Sequence, residues 1–283
     1  MSVRVLVPSS LVREVTDKRE ATRKLGYVAR ASTVFGATEL VIYPDKAGER
    51  SARWDGGFVD TVLRYAVTPP YLRKEIWGAR DELEYVGVLP ALCATSRTGS
   101  GSDDSGSLRQ GIVTEVGSDT RVRVNCGLQH PISLHVPDEM SVTEGERVTV
   151  RVTSRRPVRA RIVSEPPPAP TIERMELEAA LTAPDAGVRI ATSRHGEALT
   201  VSRLGPIVRD IQASGMTVAF GAPERGLREI IAEHPGASSS TQGTEDSSHG
   251  FDLWLNTIPD QGSVVVRTEE AMFATLACLT LTE

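Results

Sequence analysis

The chain of 283 residues is 40% hydrophobic, 24% charged and 5% aromatic, which is length for two domains, or one with an insertion, and for a core without disulfides. A peptide, a disulfide-stapled scaffold, a repeat array and a disordered tail are thereby excluded. The net charge of −5 argues against a nucleic-acid partner only as an average.

Met1 to Val7 reads as a first strand, ended by Pro8. It lacks the apolar stretch and cleavage site of a signal peptide, and apolar runs elsewhere are strand-sized, so no membrane span and a cytoplasmic location are expected. Asp17 followed by Glu20 is a capping pattern, after which Ala21, Leu25, Val28 and Phe35 recur near helical spacing. Glu39 to Tyr43 reads as a second strand closed by Pro44 and Asp45. A polar loop to Gly57 and a helix from Phe58 to Tyr65 follow, and Pro69-Pro70 breaks the chain before Tyr71-Leu72-Arg73-Lys74.

Gly99 to Ser107 has the composition of a flexible linker. Beyond it come five short strand candidates: Gln110 to Val116, Arg121 to Asn125, Ile132 to Val136, Arg147 to Thr153 and Val158 to Val163. Their spacing predicts a small closed β-barrel, left through the stiff Pro166-Pro167-Pro168-Ala169-Pro170. Helix and strand alternation then returns. Glu176 to Leu181, Gly205 to Ala213 and Arg225 to Ala232 read as helices, and Val188 to Thr192, Met216 to Phe220 and Phe251 to Leu255 as strands. A hydrophilic loop spans Gly236 to Gly250, and Thr268, with Glu269 and Glu270 behind it, reads as the N-cap of a last helix.

Cys93, Cys126 and Cys278 form no C-x-x-C pair, and the five histidines form no cluster of ligand spacing, so no disulfide framework and no metal site is indicated. Only Lys18, Lys24, Lys46 and Lys74 are lysines; the other 28 basic residues are Arg. Scarce Lys with surplus acid fits either a salty cytoplasm or a GC-rich genome. Residues 109 to 163 carry nine Arg against six acids, while the rest of the chain sums to −8. Arg147, Arg151, Arg155, Arg156, Arg159 and Arg161 crowd the last two strands of the insert, with Val148, Val150 and Val152 on the opposite face of theirs. A single Arg reads most simply as part of a solvated strand face; six together are the footprint of phosphate contact. The insert holds no Phe, Tyr or Trp, so it is expected to grip the backbone of structured RNA through Arg and not to stack unpaired bases.

No GxxxxGK[ST], GxGxxG after a strand, or GxSxG is present. Three turns are placed where ligands bind in α/β sheets, beyond strand carboxyl ends: Thr192 to Gly196, Gly221 to Gly226 and the run from Asn256 to Ala271. Each by itself is equally a plain turn.

The residues Pro69 to Lys74, Val124-Asn125-Cys126-Gly127, Ala191-Thr192-Ser193, Leu255 to Ser263 and Arg267 to Ala271 resemble the SPOUT class of RNA methyltransferases. More narrowly, they are similar to the archaeal and eukaryotic RNA methylases with an OB-like barrel inserted in the SPOUT domain. The likeness runs through most of the chain in the same order. It departs at Ala169 to Arg174, where the family has an aromatic stretch, and at Ser193-Arg194-His195-Gly196, where it has a Ser-Glu-Arg-Gly-like loop. The resemblance implies an α/β domain with a C-terminal deep trefoil knot, built from residues 1–90 and 166–283, with a linker at 91–108 and an OB-like barrel at 109–165. It implies an S-adenosylmethionine-dependent RNA methyltransferase acting on ribosomal or transfer RNA, working as a homodimer without a metal. Thr192, Gly221, Leu255, Asn256, Ile258, Gln261, Gly262 and Thr268 are the implied cofactor contacts, and Arg194 and Arg267 the candidates near the acceptor. The alternatives are a non-catalytic RNA-binding or ribosome-assembly factor that kept the fold, and a metabolic α/β enzyme whose barrel binds no RNA.

Overall fold

A computed structural model describes residues 2–92, 106–117, 120–165, 167–233 and 249–282, without the side chains of Ser51 and Arg155. Most of the expected linker, Cys93, His234 and most of the hydrophilic loop from Gly236 lie outside the described residues. The chain divides into two compact units, one of Met1–Ala66, Asp81–Ala91 and Pro170–Glu283, the other of Val67–Arg80 and Leu92–Ala169.

In the first unit β1 (Val3–Pro8), α1 (Lys18–Val34), β2 (Glu39–Tyr43), α2 (Lys46–Ser51) and α3 (Gly56–Val67) open the chain, α3 running one residue past the unit's edge. In the second unit α4 (Pro70–Ile76) precedes β3 (Ser107–Val116), β4 (Arg121–Asn125), β5 (Ile132–His135), β6 (Arg147–Arg155) and β7 (Val158–Val163). The chain returns to the first unit with β8 (Thr171–Arg174), α5 (Leu177–Thr182), β9 (Val188–Ala198), α6 (Val201–Ser214), β10 (Met216–Ala219), α7 (Leu227–Ala232), β11 (Leu253–Asn256) and α8 (Thr268–Leu279).

Six strands of the first unit form a wholly parallel sheet in the order β11-β9-β10-β1-β2-β8. β1 lies inside it and is buried along its whole length, as an apolar strand covered on both faces must be. The Asp17 carboxylate caps α1 by accepting the Glu20 N–H at 3.1 Å, as the capping pattern predicts. α1 packs on α8. Between them the buried Lys24 pairs with Glu14 and lies 4.0 Å from Glu269, whose carboxyl burial pushes above its ordinary range.

Several expectations are corrected. The polar stretch before Gly57 contains α2, whose Asp45 cap accepts the Gly48 N–H at 3.0 Å. The segment Thr171–Arg174, for which no element is expected, is an edge strand registered against Glu39–Ile42; its polar outward residues hide the alternation. The last helix is capped at Arg267, whose N–H donates to Glu270 Oε2 at 2.8 Å, and not at Thr268, which lies inside it.

The second unit is a five-stranded antiparallel sheet in the order β5-β4-β3-β6-β7. Its edge strands β5 and β7 come into contact, which makes it a near-barrel and not the closed barrel expected. Val113, Val124, Leu134, Val150, Val152 and Ile162 fill its core. β6 is buried on both faces from Val148 to Val152: Thr149 and Arg151, expected outside, are covered as well as the valines, whereas Arg147 and Thr153 at its ends are exposed.

Candidate active site

The parallel strands β9, β10 and β11 lie side by side or one strand apart, so their carboxyl ends meet at one edge of the sheet. Pairing of β11 with β9 jumps from Trp254↔Ala191 to Leu255↔Glu197, which leaves Thr192 to Gly196 out of register with β11 although they continue the strand. A cavity of about 670 Å³ opens there, within the range of roughly 300–1,000 Å³ of small-molecule sites. Its wall takes residues from all three expected turns: Thr192, Arg194, Gly221, Leu255, Asn256, Ile258, Gln261 and Thr268 line it. Gly262 and Arg267 do not. Arg267 is exposed and its guanidinium lies 3.4 Å from Glu20 Oε1.

The turn after β10 is held carbonyl by carbonyl. Thr192 Oγ1 donates to the Ala219 carbonyl at 2.8 Å, Tyr43 Oη to Phe220 at 2.6 Å and Thr268 Oγ1 to Gly221 at 2.9 Å. Burial raises the Tyr43 phenol well above its ordinary pKa, so it remains a donor. Ala222 and Arg225 then exchange backbone hydrogen bonds at 3.0 and 3.1 Å around Glu224, whose φ is 59°. Arg225 is buried with its Nε 3.1 and 3.0 Å from the two Asp45 oxygens, and its outer nitrogens reach Glu229 and Glu233 at 3.0 and 2.7 Å. Burial pushes the Asp45 carboxyl up, but hydrogen bonds from Arg225, Ser10 and the Gly48 N–H outweigh it and hold the group below its ordinary value.

Asn256 clasps the two other turns: its Nδ2 donates to the Arg194 carbonyl and its Oδ1 accepts the Ile258 N–H, both at 3.0 Å. Gln261 Nε2 donates to the Ser263 carbonyl at 2.8 Å. These two side chains, read as ligand contacts, shape the wall from within. Arg194 is exposed, with Nε donating to His195 Nε2 at 3.1 Å. Phe220, Leu227 and Leu255 form a buried apolar floor.

Arg225, Asp45 and Tyr43 are the positions that reading the chain missed. Asp45 and Arg225 stand 180 residues apart, and no local spacing links them. Of the six Arg assigned to RNA, Arg147, Arg156, Arg159 and Arg161 are exposed, and the side chain of Arg155 lies outside the described residues. Arg151 is buried and paired with Glu165. Among the described residues no group of three His, Cys, Asp or Glu is placed to hold a metal. None of their helices is long and apolar enough to cross a membrane.

Residues 2–279 match the family described as "Putative RNA methyltransferase". The chain belongs to this family. The resemblance read from Leu255 to Ser263 and Arg267 to Ala271 is thereby borne out, and the match takes in both the α/β unit and the barrel. Two relatives, from Haloarcula marismortui and Halobacterium salinarum, are 63% and 64% identical over the whole of both chains, and each is described as an "Uncharacterized protein". The human 28S rRNA (uridine-N(3))-methyltransferase is 28% identical over 97% of this chain and 77% of its own.

Proposed function

We propose that this member of the RNA methyltransferase family transfers a methyl group from S-adenosylmethionine to the N3 of a uridine in ribosomal RNA. The observation that carries the reading is the cavity, into which residues from three distant turns converge; the uridine comes from the activity named for the human relative. The residues present fit the cofactor. The apolar floor of Phe220, Leu227 and Leu255 suits an adenine, and at Gly221 an added Cβ would come 2.9 Å from the Leu227 nitrogen, so the backbone itself forms the wall there. When bound, S-adenosylmethionine supplies an electrophilic methyl on a sulfonium.

The chain's own residues then hold the acceptor in line and stabilise it as its proton leaves. Uridine N3 bears a weakly acidic proton, which passes to solvent water, and the ring becomes anionic without it. Arg194, exposed on the wall, is assigned to that charge. Arg267, outside the wall, is assigned to an RNA phosphate. Thr192, Leu255, Asn256, Ile258, Gln261 and Thr268 make or shape the cofactor site. The exposed Arg of β6 and β7 recruit the RNA, in the manner of an OB-like module.

The same reading includes the trefoil knot and the homodimer, and a cytoplasmic enzyme. α8 begins against Gly221 and packs on α1 and α6, although the chain reaches it from the edge strand β11, and this path supports a threaded C-terminus. Val264 and Val265 on the cavity wall are 87% and 41% exposed, which supports a second copy covering them.

Calorimetric titration with S-adenosylmethionine is expected to give a micromolar Kd, weakened at least tenfold in Asn256→Ala. Incubation with ribosomal RNA is then expected to yield N3-methyluridine by nucleoside mass analysis, lost in Arg194→Ala. Absence of cofactor binding at millimolar concentration overturns the enzyme in favour of a binding factor. A different methylated nucleoside overturns the uridine.

A further inference from the structure

The barrel strands carry no Phe, Tyr or Trp, but the unit that contains them also contains Val67–Arg80, which brings Tyr71 and Trp77. α4 is seated on the barrel. The Tyr71 hydroxyl donates to the Gln110 carbonyl at 2.8 Å, and its ring lies against Gly127, where an added Cβ would come within 2.7 Å of ring carbon. Asn125 Nδ2 donates to Glu75 Oε1 at 2.8 Å, which engages the one acid of the segment.

Past the end of α4 the Trp77 indole N–H donates to Thr68 Oγ1 at 3.1 Å, and the Arg80 guanidinium lies over that ring, 5.3 Å from its centroid. The same Thr68 oxygen accepts from Arg147 Nη2 at 3.4 Å. One hydroxyl thus ties together an indole with a guanidinium over its ring and a second Arg from β6. Arg80 and Arg147 are both exposed. A guanidinium laid on an indole offers its outer face to a planar group and its N–H edge to an anion. An unpaired base with its phosphate has both, whereas a base inside a duplex offers no free face.

We propose that Trp77, Arg80 and Arg147 form a stacking site for one unpaired RNA nucleotide, adding base contact to a module whose strands supply only charge. The site rests on the RNA-binding part of the proposed function.

The test is binding of a labelled 12-nucleotide oligouridine and of a 12-base-pair RNA duplex to the full chain, at low and high salt. Arg80→Ala is expected to weaken the single strand about tenfold and the duplex less than twofold. Arg80→Lys, which keeps the charge but not the plane, is expected to lose most of that tenfold at high salt. Arg147→Ala is expected to reduce the salt slope by about one. Arg80 is exposed, so its variants fold; melting temperature and cofactor titration monitor this. Wild-type affinity for the single strand in both Arg80 variants, or equal weakening of the duplex, overturns this site alone. Failure of the wild-type chain to bind either RNA at low salt overturns the site together with the RNA reading.

Discussion

At Asp45 and Arg225 two opposite charges, 3% and 6% exposed, meet through one guanidinium N–H, Arg225 Nε, shared between both carboxylate oxygens. Glu229 and Glu233 still neutralise the outer nitrogens of Arg225 when the Asp45 charge is removed, so the cost is that of a weakened buried hydrogen bond at Nε and falls below the about 3–5 kcal/mol of an uncompensated buried charge. Asp45→Asn is therefore expected to lower the unfolding free energy by about 1–3 kcal/mol at pH 7, and to weaken cofactor binding because Arg225 closes the turn that lines the cavity. The difference from wild type depends on pH. A carboxyl held below its unfolded pKa contributes stability above that value, and loses it as the pH falls through the folded one. The gap between the two proteins is thus expected to narrow below about pH 4. Urea unfolding across pH checks this; a gap independent of pH would show that the Asp45 charge is not what Arg225 requires.

At the scale of elements, the seam between β9 and β11 carries the site. Gly196 sits where the register has shifted, and an added Cβ would lie 2.7 Å from the Leu255 carbonyl carbon and 2.8 Å from the Trp254 oxygen. Both neighbours are backbone, so nothing can swing aside. Gly196→Ala is expected to cost about 1–3 kcal/mol as overpacking does, to speed amide exchange at Leu255 and Asn256, and to weaken the cofactor more than tenfold. An unchanged melting temperature and Kd would mean that the seam is free to open. The hydroxyls of Thr192, Tyr43 and Thr268 come from three different elements onto three successive carbonyls. This fixes the turn after β10 before any ligand arrives, which is where a preorganised site saves ordering entropy.

At the scale of the whole molecule, the chain has two units, and the barrel fills its own core. A ligand that binds only the native α/β unit stabilises that unit by about 2.7 kcal/mol at a hundred times its Kd. Calorimetric melting is expected to show two transitions, of which S-adenosylmethionine raises one and leaves the other in place. A single transition raised as a whole would show that the units unfold together.

The local elements with strong periodic or capping signals are legible along the chain. β2 and β4 fall at the expected residues, and Asp17 caps α1. Such features depend on side chains a few residues apart, and a turn, a cap or an alternation is written in that interval. The sequence also marks the three turns that line the cavity, because strand ends followed by Gly and Pro are visible locally. The partnerships across the sheet arise only in the folded chain. β8 is a strand because it lies against β2, Arg151 is covered despite its alternation, and Arg225 finds Asp45 from 180 residues away. Burial and ion pairing are set by what lies adjacent in space, and no interval along the chain encodes that distance.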